Sequence, residues 1–315
     1  MREKGALGVP TKREQFVQTI RAQYLGDQMR QLREDRGLTL KYIAAHLGVE
    51  FSTLARYERA EWPFRRDHVV ALLDVYGVYD EARRAWLVEL SQTAWKINQW
   101  MPISGRFDGL LPGAGVGPTL IDPWWLQARA EELCVYAPQL VPEVVQTQDY
   151  AAAIVGQTVP TGLRGDHIIS RLMARQRELD EPPTRTRLTI LLEEEVLHRQ
   201  VGGRLVLEQQ LEFLTRTVNR PHVNIRVLPA ARYGWHPGLD GAFTVCVMAR
   251  PYPPVALVDH LTGRLVMEAT DADRYVDVFD KLREIAHAPA QSIALIEAIA
   301  AETAGTPTAQ TVTAS

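Results

Sequence analysis

The feature that most constrains the fold is a run of apolar residues at helical spacing near the N-terminus. Leu25, Met29 and Leu32 recur at positions i, i+4 and i+7, which predicts one face of a first helix that ends at Gly37. Thr39 is a good N-cap for a second helix, because its hydroxyl can accept a hydrogen bond from a free backbone N–H. The residues that face inward from this second helix are Leu40, Ile43, Ala44 and Leu47.

A glycine marks the turn that follows the second helix. Gly48 fits there because the left-handed backbone conformation of such a turn is costly for a residue with a side chain. A third helix then returns Val49, Leu54 and Tyr57 to the same core. Ala44 is small enough for two helices to cross closely. These elements in this order predict a helix-turn-helix.

The segment LGDQMRQLREDRGLTLKYIAAHLGVEFSTLARYERAEWPF resembles the DNA-binding domain of phage-repressor-like regulators of the Xre type. Two further helices, predicted over residues 67–76 and 80–93, complete the five helices of that domain. The resemblance implies an all-α N-terminal domain that binds double-stranded DNA. In such domains the third helix lies in the major groove, and its N-terminal residues reach base edges.

The resemblance also implies which side chains touch DNA. Base contacts are expected from Phe51, Ser52 and Arg56, and the fork of Arg56 can bond guanine O6 and N7 together. The residues that border this helix are expected to contact phosphates: Thr39, Lys41, Thr53, Arg59, Arg65 and Arg66. Arg33 and Glu58 stand where an arginine and a glutamate pair in related domains, so we expect a structural salt bridge between them.

Two positions depart from the family's pattern. The family often has glutamine where this chain has Leu40, and most members have serine or threonine where Glu50 stands. The Glu50 carboxylate could cap the third helix, or it could accept a hydrogen bond from a cytosine amine. The fold prediction is unaffected, but the base contacts near Glu50 depend on which of these holds.

Charge is distributed unevenly between the two parts of the chain. Residues 1–100 contain 16 Lys and Arg against 13 Asp and Glu, whereas the remainder contains 19 against 25. A basic first part and an acidic second part suit one DNA-binding domain joined to a domain that avoids polyanions. The chain has two cysteines, no apolar run long enough for a membrane span and no secretory signal, so we expect a cytoplasmic protein.

A Pro- and Gly-rich stretch divides the chain into domains. The predicted divisions are an N-terminal arm (1–23), the helix-turn-helix domain (24–100), a linker (101–123), an effector and dimerisation domain (124–303) and a disordered tail (304–315). The second domain is predicted to be α/β or α+β with a small sheet. Its predicted strands are 186–193, 223–228, 242–247, 255–259 and 264–268, and its predicted helices are 124–132, 148–155, 165–179, 203–219, 271–287 and 290–302.

The second domain resembles the effector domain of WhiJ-like regulators from actinobacteria. The matching segments include VPEVVQTQDYA, RLMARQREL, LLEEEVLHRQVGG, EQQLEFL, IRVLP, GWHPGLDGAF and VFDKLREIA, in the family's order. The resemblance implies a dimeric repressor controlled by a small partner protein or a small ligand. The alternative is an antitoxin-like interaction protein whose main role is to bind a small partner protein.

No catalytic or metal-binding pattern emerges from the remaining residues. We therefore expect no enzymatic activity, no cofactor and no metal, since the histidines have no ligand spacing and no glycine loop suits a phosphate. Trp235 and His236 form a possible ligand or partner site in a loop before a strand. The alternative is that the tryptophan packs against the edge of the sheet.

Overall fold

The computed structural model describes residues 18–96, 123–159, 162–181, 186–230, 234–250, 252–260 and 263–305. The predicted N-terminal arm as far as residue 17, the predicted linker as far as residue 122 and residues 306–315 of the predicted tail lie outside the described residues.

The first domain consists of the five predicted helices. They are α1 (Ile20–Asp35), α2 (Leu40–Leu47), α3 (Phe51–Glu58), α4 (Arg66–Val75) and α5 (Glu81–Thr93). One correction concerns the boundary at residue 23, because α1 begins four residues before Tyr24. Thr19 caps it by accepting a hydrogen bond from the Ala22 N–H at 3.1 Å, and Ile20 is buried in the core of the second domain.

The turn between α2 and α3 has the geometry that its sequence predicts. The Thr39 hydroxyl accepts a hydrogen bond from the Tyr42 N–H at 3.2 Å, and Gly48 ends α2 with a φ of +66°. Glu50 precedes α3, but its side chain makes no capping hydrogen bond. Of the two alternatives for the exposed Glu50, the structure therefore does not support capping by its side chain, and a hydrogen bond with a cytosine amine stays a prediction.

The second domain is built on a six-stranded mixed sheet. Its strands are β1 (Ala130–Ala137), β2 (Arg187–Glu193), β3 (Val223–Leu228), β4 (Phe243–Met248), β5 (Val255–His260) and β6 (Gly263–Met267), in the spatial order β3-β2-β1-β4-β5-β6. β1, β2 and β3 pair in parallel, whereas the contacts of β1 with β4, of β4 with β5 and of β5 with β6 are antiparallel. Its helices are α6 (Pro123–Arg129), α7 (Gln148–Thr158), α8 (Leu163–Asp180), α9 (Arg204–Thr217), α10 (Thr270–Ile285) and α11 (Pro289–Gly305).

Strand β1 corrects the sequence-based assignment of this region. The predicted helix over residues 124–132 ends at Arg129, and residues 130–137 form a central strand that was not among the five predicted. This strand lies between β2 and β4, so most of its residues are buried on both faces of the sheet. A strand buried on both faces has a nearly continuous apolar sequence, which lacks the alternation that marks exposed strands.

The two faces of the sheet carry separate hydrophobic clusters. On one face, side chains such as Leu133 and Leu257 pack with α6, α7, α9 and α11, and Ile20 of α1 joins this cluster. On the other face, Tyr136 and Phe243 pack against α10. The helices on both faces explain why the central strands are apolar in nearly every position.

Several segments that carry the WhiJ-like resemblance contact each other in the fold. The Gln210 side chain, which is fully buried, accepts a hydrogen bond from the Thr147 N–H at 2.7 Å and donates one to the Val145 carbonyl at 2.8 Å. Gln176 donates hydrogen bonds to the carbonyls of Glu143 and Gln146. These amides satisfy backbone groups at the turn before α7, where burial would otherwise leave them without partners.

The two domains are in direct contact through α6. The Trp125 indole N–H donates a hydrogen bond to the Asp27 carboxylate at 3.0 Å, and its ring lies edge-on to Tyr24 with centroids 4.9 Å apart. The Arg129 guanidinium pairs with Asp27 and lies over the Trp125 ring. Trp125 therefore joins the two domains.

Two further contacts connect the domains. The Glu268 carboxylate, just after β6, accepts a hydrogen bond from the Ile20 N–H at 2.5 Å, at the first turn of α1. The Tyr252 hydroxyl donates a hydrogen bond to the Arg59 carbonyl at 2.6 Å, immediately after α3. The start of α1 and the end of α3 are thus both hydrogen-bonded to the second domain.

Candidate nucleic-acid interface

Helix α3 presents its N-terminal and outward-facing side chains to solvent. Phe51, Ser52 and Arg56 are all exposed, while Leu54 and Tyr57 are buried in the helical core. Phe51 is 53% exposed and is therefore accessible to a partner. The structure therefore places the three predicted base-contacting residues on one face, and the second domain does not cover them.

Arg56 is held in place by two neighbours. Its guanidinium lies over the Trp62 ring, with the central carbon 4.7 Å from the ring centroid, and its Nε is 3.8 Å from the Glu61 carboxylate. A cation stacked on an aromatic ring loses some of its rotational freedom, which favours a fixed contact direction. Neither neighbour buries Arg56, whose side chain remains 45% exposed.

The predicted phosphate-contacting residues lie around this face, and two of them already have acidic partners. Thr39, Lys41, Arg59, Arg65 and Arg66 are exposed, and Thr53 is half-buried. Arg59 donates two hydrogen bonds to Glu61, and Arg65 donates two to Asp67. The hydrogen bond from Arg59 lowers the pKa of Glu61, so this carboxylate stays charged beside the candidate DNA-binding face.

The predicted partners Arg33 and Glu58 form a buried, bidentate ion pair. Arg33 Nε lies 2.7 Å from Glu58 Oε1 and Arg33 Nη2 lies 2.9 Å from Glu58 Oε2. The Glu58 side chain is only 3% exposed, and Arg33 Nη1 also donates to the Leu38 carbonyl at 2.9 Å. One arginine thus connects α1, the α1–α2 turn and the C-terminal end of the recognition helix.

Sequence reasoning missed two residues at this surface. Tyr42 is 58% exposed on α2, and Glu61 contacts both Arg56 and Arg59. The signal for Tyr42 was present, because the inward spacing of Ile43 and Ala44 leaves residue 42 on the outer face of α2. Glu61 gave no comparable signal, since it follows α3 in a turn that has no helical periodicity.

Trp235 and His236, the residues of the other predicted site, differ in exposure: His236 is buried and Trp235 is exposed. His236 is buried, its Nε2 lies 3.1 Å from Glu193 Oε1, and its Nδ1 accepts a hydrogen bond from the Gly238 N–H at 3.2 Å. These contacts hold His236 inside the domain, and its role as a ligand or partner contact stays a prediction. Trp235 is 74% exposed, so the alternative that it packs at the sheet edge is wrong.

The potential metal ligands do not cluster in the parts of the chain that the structure describes. No group of three or more His, Cys, Asp or Glu residues there could hold a metal ion. Both cysteines are buried as free thiols, and burial raises the pKa of Cys134 and of Cys246 to about 12. No helix within the described ranges is long and apolar enough to cross a membrane.

Comparisons with known protein families give two matches along the chain. A family model described as a helix-turn-helix domain matches residues 24–87, and a model described as a domain of unknown function, DUF5753, matches residues 122–298. No curated protein and no solved structure matches the chain. The first match supports a DNA-binding regulator. The second spans more than half of the chain, and the protein therefore belongs to the DUF5753 family, with a helix-turn-helix domain preceding the domain that defines it.

Proposed function

We propose that this protein is a dimeric, sequence-specific repressor of transcription that reads DNA with α3 and receives its signal through the second domain. The observation that carries the proposal is the exposed face of α3, where Phe51, Ser52 and Arg56 stand together beside exposed basic residues. Recognition helices of a two-fold dimer would enter successive major grooves about 34 Å apart. In this proposal the protein acts in the cytoplasm and has no catalytic activity.

The first test is a footprint on the DNA upstream of the protein's own gene, followed by a titration of the protected site. We expect Arg56→Ala to weaken binding by about 1–3 kcal/mol and to relax selectivity at one base position. Arg66→Ala is the matched control, since Arg66 is also exposed but is expected to contact a phosphate. It should weaken binding to all sequences alike and reduce the salt dependence by about one ion. Unchanged operator binding by Arg56→Ala would contradict the placement of α3.

A second prediction concerns Glu61, which neutralises two arginines of the candidate interface. We expect Glu61→Gln to tighten binding to any DNA by roughly 1 kcal/mol at low salt, with the gain shrinking as salt rises. The reason is that a phosphate no longer has to displace a carboxylate from Arg59 and Arg56. Affinity would be measured by fluorescence anisotropy at several salt concentrations.

The control for Glu61 is Glu131→Gln, an equal change of net charge at an exposed position of the second domain. If both variants tighten DNA binding equally, the effect is one of net charge and the local competition by Glu61 is refuted.

A second candidate function, an antitoxin-like protein that mainly binds a small partner protein, is favoured by one observation. Trp235 and Leu239 are 74% and 57% exposed in the loop before β4, which provides apolar surface for a partner. Co-purification of a small protein that Trp235→Ala abolishes, without loss of operator binding, would favour this role.

A further inference from the structure

A cavity of about 390 Å³ lies in the second domain between α8 and one face of the sheet. Its volume is within the range of sites that bind small organic molecules. The sheet contributes an apolar wall from β1 and β5, and Leu172 contributes apolar surface from α8. The apolar wall residues are Leu133, Val135 and Leu257.

The charged groups of this cavity differ in depth. Arg175 of α8 and Arg264 of β6 are its cations, and their side chains are only 6% and 14% exposed. The carboxylates that line the cavity are more accessible: Asp259 is 41% exposed, Asp240 is exposed and Glu143 is half-buried. The deepest charges are therefore positive.

Arg264 does not use all of its hydrogen-bond donors in its ion pair with Asp259. Arg264 uses Nε and Nη2 to bind both oxygens of Asp259, and its Nη1 donates no hydrogen bond to any described residue. Arg175 forms an ion pair with Glu178, 3.2 Å away, whose side chain is 65% exposed and is not part of the cavity lining. A guanidinium carries five donors and stays charged, which makes it the usual partner of buried carboxylates.

We propose that this cavity binds a small organic anion, a carboxylate or sulfonate whose charged end lies between Arg175 and Arg264 and whose apolar body lies against the wall of β1 and β5. An apolar wall with a few convergent polar groups is the usual composition of a small-molecule site. The anion gains charge-assisted hydrogen bonds at a depth where water competes weakly.

Strand β6 is one connection between the cavity and the DNA-binding domain. Arg264 is the second residue of β6 (Gly263–Met267), and Glu268, which follows this strand, accepts the hydrogen bond from the Ile20 N–H at the start of α1. A displacement of Arg264 by a bound anion is therefore transmitted over four residues to α1. This regulatory step rests on the proposed function, whereas binding of the anion does not.

The test uses two dyes with the same aromatic body and the full-length protein without DNA. The anionic dye is 8-anilinonaphthalene-1-sulfonate, and the uncharged dye is N-phenyl-1-naphthylamine. We expect the native protein to bind one anionic dye per chain about tenfold more tightly than the uncharged dye, as one charge-assisted contact would give. We also expect hydrogen exchange to slow in α8 and β6 when the anionic dye is bound.

The variants Arg264→Gln and Arg175→Met should each remove most of the preference for the anionic dye and leave binding of the uncharged dye unchanged. Arg216→Met is the control, because Arg216 is an exposed arginine of α9 away from the cavity lining. Circular dichroism would show whether each variant folds. If both cavity variants fail to fold, the dye preference and the exchange pattern of the native protein still test whether the cavity binds an anion.

Equal affinity for the two dyes, or exchange protection confined to other elements, would overturn the proposal. Since these measurements contain no DNA, a failure of the operator footprint would leave them intact. A protein that binds the anionic dye at the cavity but protects no operator would retain this site and refute the proposed function.

Discussion

Replacing Arg33 by methionine is expected to lower the free energy of unfolding of the helical domain by about 3–5 kcal/mol. The methionine fills a similar volume but leaves the Glu58 carboxylate buried without its bidentate partner. Arg30 lies 3.7 Å from Glu58 and cannot replace both hydrogen bonds, since one of its nitrogens already donates to the Glu58 carbonyl. The variant should also lose DNA binding, because the C-terminal end of α3 would no longer be fixed.

The measurement is chemical denaturation followed by circular dichroism, with Arg65→Met as the control. Arg65 and Asp67 form an equally close ion pair, but both side chains are about 60% exposed, so its loss should cost less than about 1 kcal/mol. The double variant Arg33→Met with Glu58→Met should be less destabilised than the sum of the two single variants. Additive effects in this cycle would contradict the coupling of the two charges.

The sequence carried enough information for the helical domain because its signals are local. A cap such as Thr39 and a glycine such as Gly48 determine where α2 begins and ends by groups within four residues. The apolar spacing then determines which side of α3 is buried, so the exposure of Arg56 follows from periodicity alone. Resemblance to known regulators added the pairing of Arg33 with Glu58, which spacing alone does not specify.

The features that the sequence did not reveal depend on contacts between distant residues. β1 is a strand because β2 and β4, which lie more than fifty residues away, pair with its two edges. The start of α1 is fixed by Glu268, and the cavity combines residues from α8, β1, β5 and β6. No local propensity encodes such contacts, since their stability comes from burial and pairing after the chain has folded.

Gly26 is another residue whose role depends on a contact with a distant part of the chain. It lies inside α1, where alanine would ordinarily be preferred by about 1 kcal/mol. In the structure, however, a methyl group at this position would lie 2.6 Å from the Glu58 carbonyl oxygen and 3.0 Å from that of Tyr57. These are backbone atoms at the end of α3, so no side-chain rotation can relieve the overlap. We expect Gly26→Ala to destabilise the domain by about 1–3 kcal/mol and to displace α3, with a parallel loss of operator affinity.

Gly156 is the matched control, because it also lies within a helix but has open space around it. A methyl group at this position of α7 meets no atom within 4 Å, so Gly156→Ala should raise stability by up to about 1 kcal/mol. Denaturation of the two variants under identical conditions should therefore give changes of opposite sign. If both alanine variants are stabilised, helix propensity dominates at both positions, and the close crossing of α1 and α3 does not hold in solution. If only Gly26→Ala is destabilised, the approach of the two backbones explains why a helix tolerates glycine at this position.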